Sequence, residues 1–253
     1  MKTEAVSASC HDLHRFGLSD MIELGAELRS LQSPAGSMEE TASAIVQLLY
    51  HHLKNVQTGE KNCVLVRFFK TQRFSELPQD LQEFAHSAIR NKADLHNDTR
   101  CLTLLATAGD QPEWNHRATS SSHKAIPLAT EEVVLQAPMV AQLIQQIGLN
   151  LAQVLGTAPS LMLDADQQNY NVFHVPEALG SPFVPAQDFV RQHRVKSVIG
   201  CGGLFPSGDL FAVIIFSRVY IPRETAEMFR TLALGIKLAT LPFARGPIFA
   251  KAV

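Results

Sequence analysis

The chain has 253 residues, 46% of them hydrophobic and 18% charged, with a formal net charge of −2 at pH 7. That apolar content excludes a solvated, disordered coil, and four scattered cysteines (Cys10, Cys63, Cys101, Cys201) exclude a disulfide-stapled secreted miniprotein. The near-neutral charge supplies no global field to recruit nucleic acid or an acidic membrane.

The N-terminal stretch MKTEAVSASCHDLHR carries charges and histidines where a signal peptide needs an apolar core of about 7–15 residues. The longest apolar runs, such as LFAVIIF at 210–216, fall far short of the roughly 20 residues of a membrane-spanning helix. The expectation is a cytoplasmic protein with reduced thiols.

The predicted elements begin with two helices. From Leu18, apolar residues at Met21, Ile22, Gly25, Leu28 and Leu31 recur every three or four positions and form one stripe. After the SPAGS break, Ser37 with Glu40 three residues on reads as a capping box, and Met38, Ala42, Ile45, Leu49 and Leu53 continue a second helix until Gly59. CVLVRFFK (63–70) reads as a strand. Leu77, Leu81, Phe84, Ala88 and Ile89 space like a helix, with Pro78 in its first turn. CLTLLATAG (101–109) is a second strand, followed by a polar loop that carries Trp114.

AIPL predicts a short strand before a helix from Glu131 to Ile147 that Pro138 breaks or restarts. Residues 149–187, with four prolines, read as mostly irregular. VKSVIGCGGLF (195–205) and LFAVIIFSR (210–218) predict two strands joined by the turn Pro206-Ser207-Gly208-Asp209. The glycines of GCGG lie inside a strand pattern, where they signal a bulge or a close backbone approach. Pro222 starts a final helix with Ala226, Phe229, Leu232, Ala233 and Ile236 on its buried side. The mixed order, without a glycine fingerprint opening a helix, predicts an α+β fold rather than a dinucleotide fold.

The run RVKSVIGCGGLFPSGDLFAVIIFSRVYIPRETAEMFRTLALGIKLATLPF resembles the end of a GAF domain, and the two N-terminal helices followed by CVLVRFFK resemble its start. The likeness covers roughly 15–70 and 190–243, and rests on a pattern of elements rather than on catalytic residues. It implies a GAF-like central antiparallel sheet with helices packed on one face. It also implies amphipathic terminal helices that dimerise and a ligand pocket under loops on the opposite face. The middle, roughly 74–190, exceeds a simple GAF core, which implies an enlarged loop and helix insertion on the pocket side. The expected organisation is a flexible N-terminus (1–14), a single GAF-like sensory domain (15–243) and a C-terminal tail (244–253).

By the same resemblance the chain is a sensory or regulatory domain of a bacterial signalling system, of the kind that precedes kinase or cyclase output modules. Such domains bind cyclic nucleotides, tetrapyrroles, haem or small metabolites. No bilin-attachment cysteine and no NKFDE-type pattern is recognisable here, which puts bilins and cyclic nucleotides in doubt. The implied partners are a small-molecule ligand, a second copy of the chain and an output protein or domain. Neither nucleic acid nor membrane insertion is expected.

The candidate ligand-binding residues follow from place. Trp114 and His123 lie in the central loop, Tyr170, Phe173 and His174 in the irregular segment, and Cys201 at the final hairpin. Aromatic rings would supply walls, while histidine and cysteine would add a hydrogen bond or coordinate bond. No C-x-x-C or H-E-x-x-H is present for zinc, so His174 is the best haem-ligand candidate among ten histidines. His11 and His14 sit in a terminus expected to fray, and His51 and His52 suit a helix C-terminal dipole.

Asp164 and Asp166 read as turn formers, and Arg191, His193, Arg194 and Lys196 as a solvated face. An alternative function is a cysteine-based redox enzyme, similar to the reductases of free methionine sulfoxide, pairing Cys201 with Cys63 or Cys101. A third is a dimerisation module with a filled core. Without a G-x-S-x-G elbow, a P-loop or a Rossmann fingerprint, the expected protein is not an enzyme.

Overall fold

Segments dense in β-branched and aromatic residues pair into one antiparallel sheet. The computed structural model describes residues 9–31, 35–89, 95–157 and 171–251. Its elements in chain order are α1 (Leu18–Ser30), α2 (Met38–His52), β1 (Cys63–Arg73), α3 (Gln79–Ala88), β2 (Arg100–Gly109) and β3 (Ala125–Leu128). They continue with α4 (Glu131–Leu135), α5 (Pro138–Gln146), α6 (Leu151–Leu155), β4 (Val172–Val175), α7 (Gln187–Gln192), β5 (Ser197–Leu204), β6 (Leu210–Ser217) and α8 (Arg223–Thr240). The six strands run in the order β3-β2-β1-β6-β5-β4 and pair antiparallel throughout. Chain start and chain end therefore meet at the sheet centre, where β1 lies beside β6.

The α+β fold expected from the sequence is present, and so is the helical layer on one face. Leu24 and Leu28 of α1, Ile45 and Leu49 of α2, and Phe229, Leu232 and Ile236 of α8 share one core with Val66, Phe68, Val213 and Ile215 of the sheet. Here α2 lies over β1 and β2, α8 over β5 and β4, and α1 packs on α8. This first core makes α1, α2 and α8 one layer. A second core on the other face joins Leu65, Phe69, Phe173 and Ile214 to Leu143 and Ile144 of α5 and Val154 of α6. The enlarged middle of the chain thus covers the side opposite the terminal helices.

Local chemistry accounts for most boundaries. Ser37 Oγ accepts from Glu40 N (3.2 Å), as the capping pattern predicts, but the Glu40 carboxylate reaches back to Gly36 N rather than to Ser37. The next amides of α2 are met by the C-terminal segment, since Met38 N donates to Pro247 O (3.0 Å) and Glu39 N to Ile248 O (2.8 Å). Pro138 divides the predicted 131–147 helix into α4 and α5. Within 149–187, the described residues 149–157 and 171–187 hold more order than the sequence suggests. α6 opens on an Asn150 cap, and β4 adds a full edge strand to β5. Four-residue strands and five-residue helices are too short to show periodicity among prolines.

The N-terminal segment also departs from expectation at His11. Its ring is buried, its Nδ1 hydrogen-bonds Asp20 Oδ1 (2.9 Å), and its backbone bridges to His52 and Lys54. Asp20 in turn accepts from Gly17 N (2.9 Å) at the start of α1.

The GCGG run resolves in favour of close approach. β5 pairs with β6 without a register shift, and a Cβ at Gly202 would stand 2.2 Å from Phe211 O. Gly202→Ala is expected to cost about 2 kcal/mol or more in urea unfolding, since a packed sheet interior cannot yield to backbone overlap. Gly59→Ala, at φ +72 with open space around it, is expected to cost only about 1 kcal/mol. The reverse order would show that the β5–β6 contact is looser than described.

Candidate functional site

β1 is buried on both faces except at its last residue, Arg73. Because side chains alternate along a strand, Val66 and Phe68 enter the helix-side core while Leu65, Arg67 and Phe69 face the loops. A guanidinium is thereby placed on an apolar floor, with only 8% of Arg67 exposed. Cross-strand pairing extends this position into a row of Phe173, Gly200, Ile214, Arg67 and Thr107, running from β4 to β2.

Arg67 Nη2 donates to Ser120 Oγ (3.3 Å), and Ser120 Oγ donates to Ser122 O (3.2 Å). Among the described residues, Arg67 Nε has no hydrogen-bond partner, and neither has the buried hydroxyl of Thr107, which pairs with it across β1 and β2. Burial lowers the Arg67 pKa to about 10, with no carboxylate among the described residues acting against it, so the group remains a cation at neutral pH.

The second buried cation on this strand is held differently. Lys70, fully buried, donates to Thr71 O (3.0 Å), to Gln72 Oε1 and to Asp209 Oδ2 (3.0 Å). Arg100 is likewise occupied, donating to Gln153 O (3.0 Å), Val154 O (3.2 Å) and Gly208 O (2.9 Å), which ties α6 to the β5–β6 turn.

The loop over Arg67 is anchored from outside. Arg117 pairs with Glu39 of α2 (2.9 Å) and Asp80 of α3 (3.3 Å), fixing the turn that leads into Ser120. His123 follows in the left-handed region at φ +59, a strained backbone for a non-glycine residue. Although His123 is exposed at its edge, crowding by protein and then the Arg67 charge hold its imidazole below the ordinary histidine value.

The residues expected from sequence do not meet in one place. Trp114 lies on the loop face, packing on Gly109 and against Phe189 (5.6 Å between centroids) and His193 (4.8 Å). Gly109 pairs with Leu65, so Trp114 stands one alternate position from the Arg67 row, about 7 Å along the strand. Phe173 is in the row, and His123 flanks it. His174 and Cys201 point to the helix side, in register with the first core. Tyr170, Asp164 and Asp166 lie outside the described residues.

His174 Nε2 donates to Ile221 O (2.9 Å), which occupies a ring nitrogen that haem ligation would use. His174 borders a shallow groove of about 250 Å³ that continues along Val175, Pro176, Leu179 and Phe183. Among the described residues, no group of three or more His, Cys, Asp or Glu side chains could hold a metal ion. The basic cluster divides, with Arg191 exposed and paired to Asp188 (2.6 Å), Lys196 over the Tyr220 ring and His193 against Trp114.

Cysteine chemistry finds no geometry. Cys201 is buried with its thiol pushed up to about 12, Cys101 likewise to about 12, and burial also raises Cys63. Cys201 pairs with Val213, whereas Cys63 pairs with Ser217, four residues along β6. That offset alone is about 13 Å, whereas a disulfide needs Cα atoms within about 7 Å. Cys101 pairs with Gln72 on β1, while the Cys201 row crosses β1 at Phe68.

Sequence reasoning missed Arg67, Thr107 and Ser120. A lone charge inside the apolar run CVLVRFFK was the available signal for Arg67, while nothing in the sequence marks the two hydroxyls.

No protein-family model matches the chain, and no curated protein is similar to it in sequence. Among solved structures, the chain is similar to a bacteriophytochrome from the photosynthetic bacterium R. palustris (TM-score 0.37, 7% identity, covering 89% of this chain and 39% of that one). It is also similar to the chromophore-binding domain of a Stigmatella aurantiaca bacteriophytochrome (TM-score 0.37, 13% identity, 94% and 62% covered). A third similarity is to the phycoerythrobilin-bound GAF domain of a cyanobacterial phytochrome (TM-score 0.35, 11% identity, 88% and 96% covered). The chain thus spans about two fifths and three fifths of the first two structures. No described helix is long and apolar enough to cross a membrane.

His174 supplies a test of the electrostatics. Burial, opposed in part by the Ile221 bond, lowers its pKa below 6.5. As pH falls below 6.5 the unfolded chain takes up a proton that the native chain does not, so stability present at higher pH is lost as pH falls toward the folded value. His174→Gln is expected to reduce the loss of stability between pH 6.5 and 5.5 by up to about 1 kcal/mol per pH unit in urea titrations. An unchanged slope would contradict the described burial.

Proposed function

We propose that this chain is a GAF-like sensory or regulatory domain that receives a small molecule on the loop face of its sheet and transmits binding to its terminal helices. The observation that carries this reading is the two-faced character of the central strands. The positions that flank Arg67, Val66 and Phe68, are packed in the same core as α1 and α8. A ligand that draws on Arg67 and Thr107 therefore acts on strands whose opposite side seats the helical layer, and a difference in affinity between two packings of that layer is enough to bias them. The sequence resemblance to GAF domains supports the same assignment.

The helical layer also supplies the proposed dimer surface. Leu18 and Ile22 on α1 and Leu234 on α8 are large apolar side chains left 63%, 58% and 44% exposed. A second copy of the chain covering them would join two sensors through the elements that respond, with an output protein or fused module as the downstream partner. A cysteine-based oxidoreductase is not favoured, given three buried thiols held well above their ordinary pKa.

Native mass spectrometry of the protein from its host, with a metabolite thermal-shift screen, is expected to find a bound small molecule. No ligand in either would remove the sensing reading. Leu234→Glu is expected to weaken self-association at least about tenfold in sedimentation experiments while leaving the fold intact. A wild-type chain that is monomeric at all concentrations would remove the dimer. Cys201→Ser is expected to leave ligand binding unchanged.

A further inference from the structure

We infer that Arg67, Thr107 and the Ser120–His123 turn form a subsite for the carboxylate of a small monocarboxylic acid whose apolar remainder lies on the loop face of the sheet. This deepens the sensing reading and rests on it. The guanidinium offers a planar fork of donors that matches a carboxylate in two parallel hydrogen bonds. Here that fork is buried, uses one bond of 3.3 Å to Ser120, and leaves Nε without a partner. Thr107 Oγ1, opposite on β2, is a second buried group without a partner. Two such groups at paired positions of β1 and β2 each carry a desolvation cost, and one anionic ligand would satisfy both.

The charge selects the class. Lys70 is neutralised by Asp209, and Arg100 is committed to three carbonyls. His123 beside Arg67 is held toward its neutral form. Lys124 on the same turn donates to Ala118 O (2.8 Å) in an exposed bond. Among the described residues the buried charge here is therefore that of Arg67, which balances a monoanion and leaves a dianionic phosphate with an excess buried charge. Leu65, Phe69 and Ile214, at neighbouring positions of the same sheet face as Arg67, with Trp114 one position along, favour an aliphatic or aromatic remainder over a polar one.

The experiment is isothermal titration of the full chain with phenylacetate, benzoate and isovalerate, their three neutral amides, and inorganic phosphate. At least one acid is expected to bind, with its amide weaker by about 10- to 100-fold, the worth of charge-assisted hydrogen bonds. Arg67→Met is expected to abolish that preference, Thr107→Val to reduce it, and phosphate to bind no better than the amides.

The ligand-free Arg67→Met protein is expected to melt no lower than wild type, because a desolvated cation without a carboxylate is being removed. A large fall in its melting temperature would make Arg67 a structural residue and overturn the inference. So would amides that bind as well as acids, or tighter binding of phosphate. Amides equal to acids would leave the small-molecule reading standing. A protein that takes none of the probes and shows no adduct in native mass spectrometry would overturn both.

Discussion

Two cations lie buried on β1, three residues apart, and they meet the same desolvation cost in different ways. Lys70 recovers it locally through Asp209 and two oxygens of its own strand. Arg67 recovers only a serine hydroxyl. Much of the surrounding structure serves to keep Arg67 in place. The Arg117 pairs hold the loop above it, β2 and β6 fix its register, and Phe69 and Leu65 set its flanks.

The two faces of the sheet share in folding stability. The helix-side core is large, with α8 crossing the sheet at β5 and β4 and Phe229, Leu232 and Ala233 in the same core as Ile199 and Cys201. It can carry an under-satisfied cation on the opposite face without losing the fold. The two faces share the same strands, so Arg67 is one residue from Val66 and Phe68 of the helix-side core.

Much of the fold was legible because its signals were long or chemically explicit. The 3.6-residue stripes of α1, α2 and α8, the apolar runs of β1, β2, β5 and β6, and the proline that divides α4 from α5 each leave a periodic or punctuating trace. β4 and α6 left none, since each offers too few residues to establish a period. His11 looked terminal in sequence, yet it is buried by long-range pairing with Asp20 and His52.

The candidate site was less legible than the fold. Trp114, Phe173 and His123 were found by their place in loops and do lie on or beside the loop face. His174 and Cys201 were carried to the other face by the period of two, which sequence alone could not assign without knowing the register. Arg67 was readable as an anomaly within its strand, but what its side chain meets is a tertiary fact. The Arg67 guanidinium meets one serine hydroxyl, while its Nε has no partner among the described residues. The most direct test of that site is the Arg67 side-chain Nε–H resonance in an NMR spectrum, identified by its loss in Arg67→Lys, followed as phenylacetate, benzoate or isovalerate is added. The account predicts a downfield shift of that proton with slowed solvent exchange for an acid that binds. A resonance that stays put while the same acid shifts residues elsewhere would contradict it.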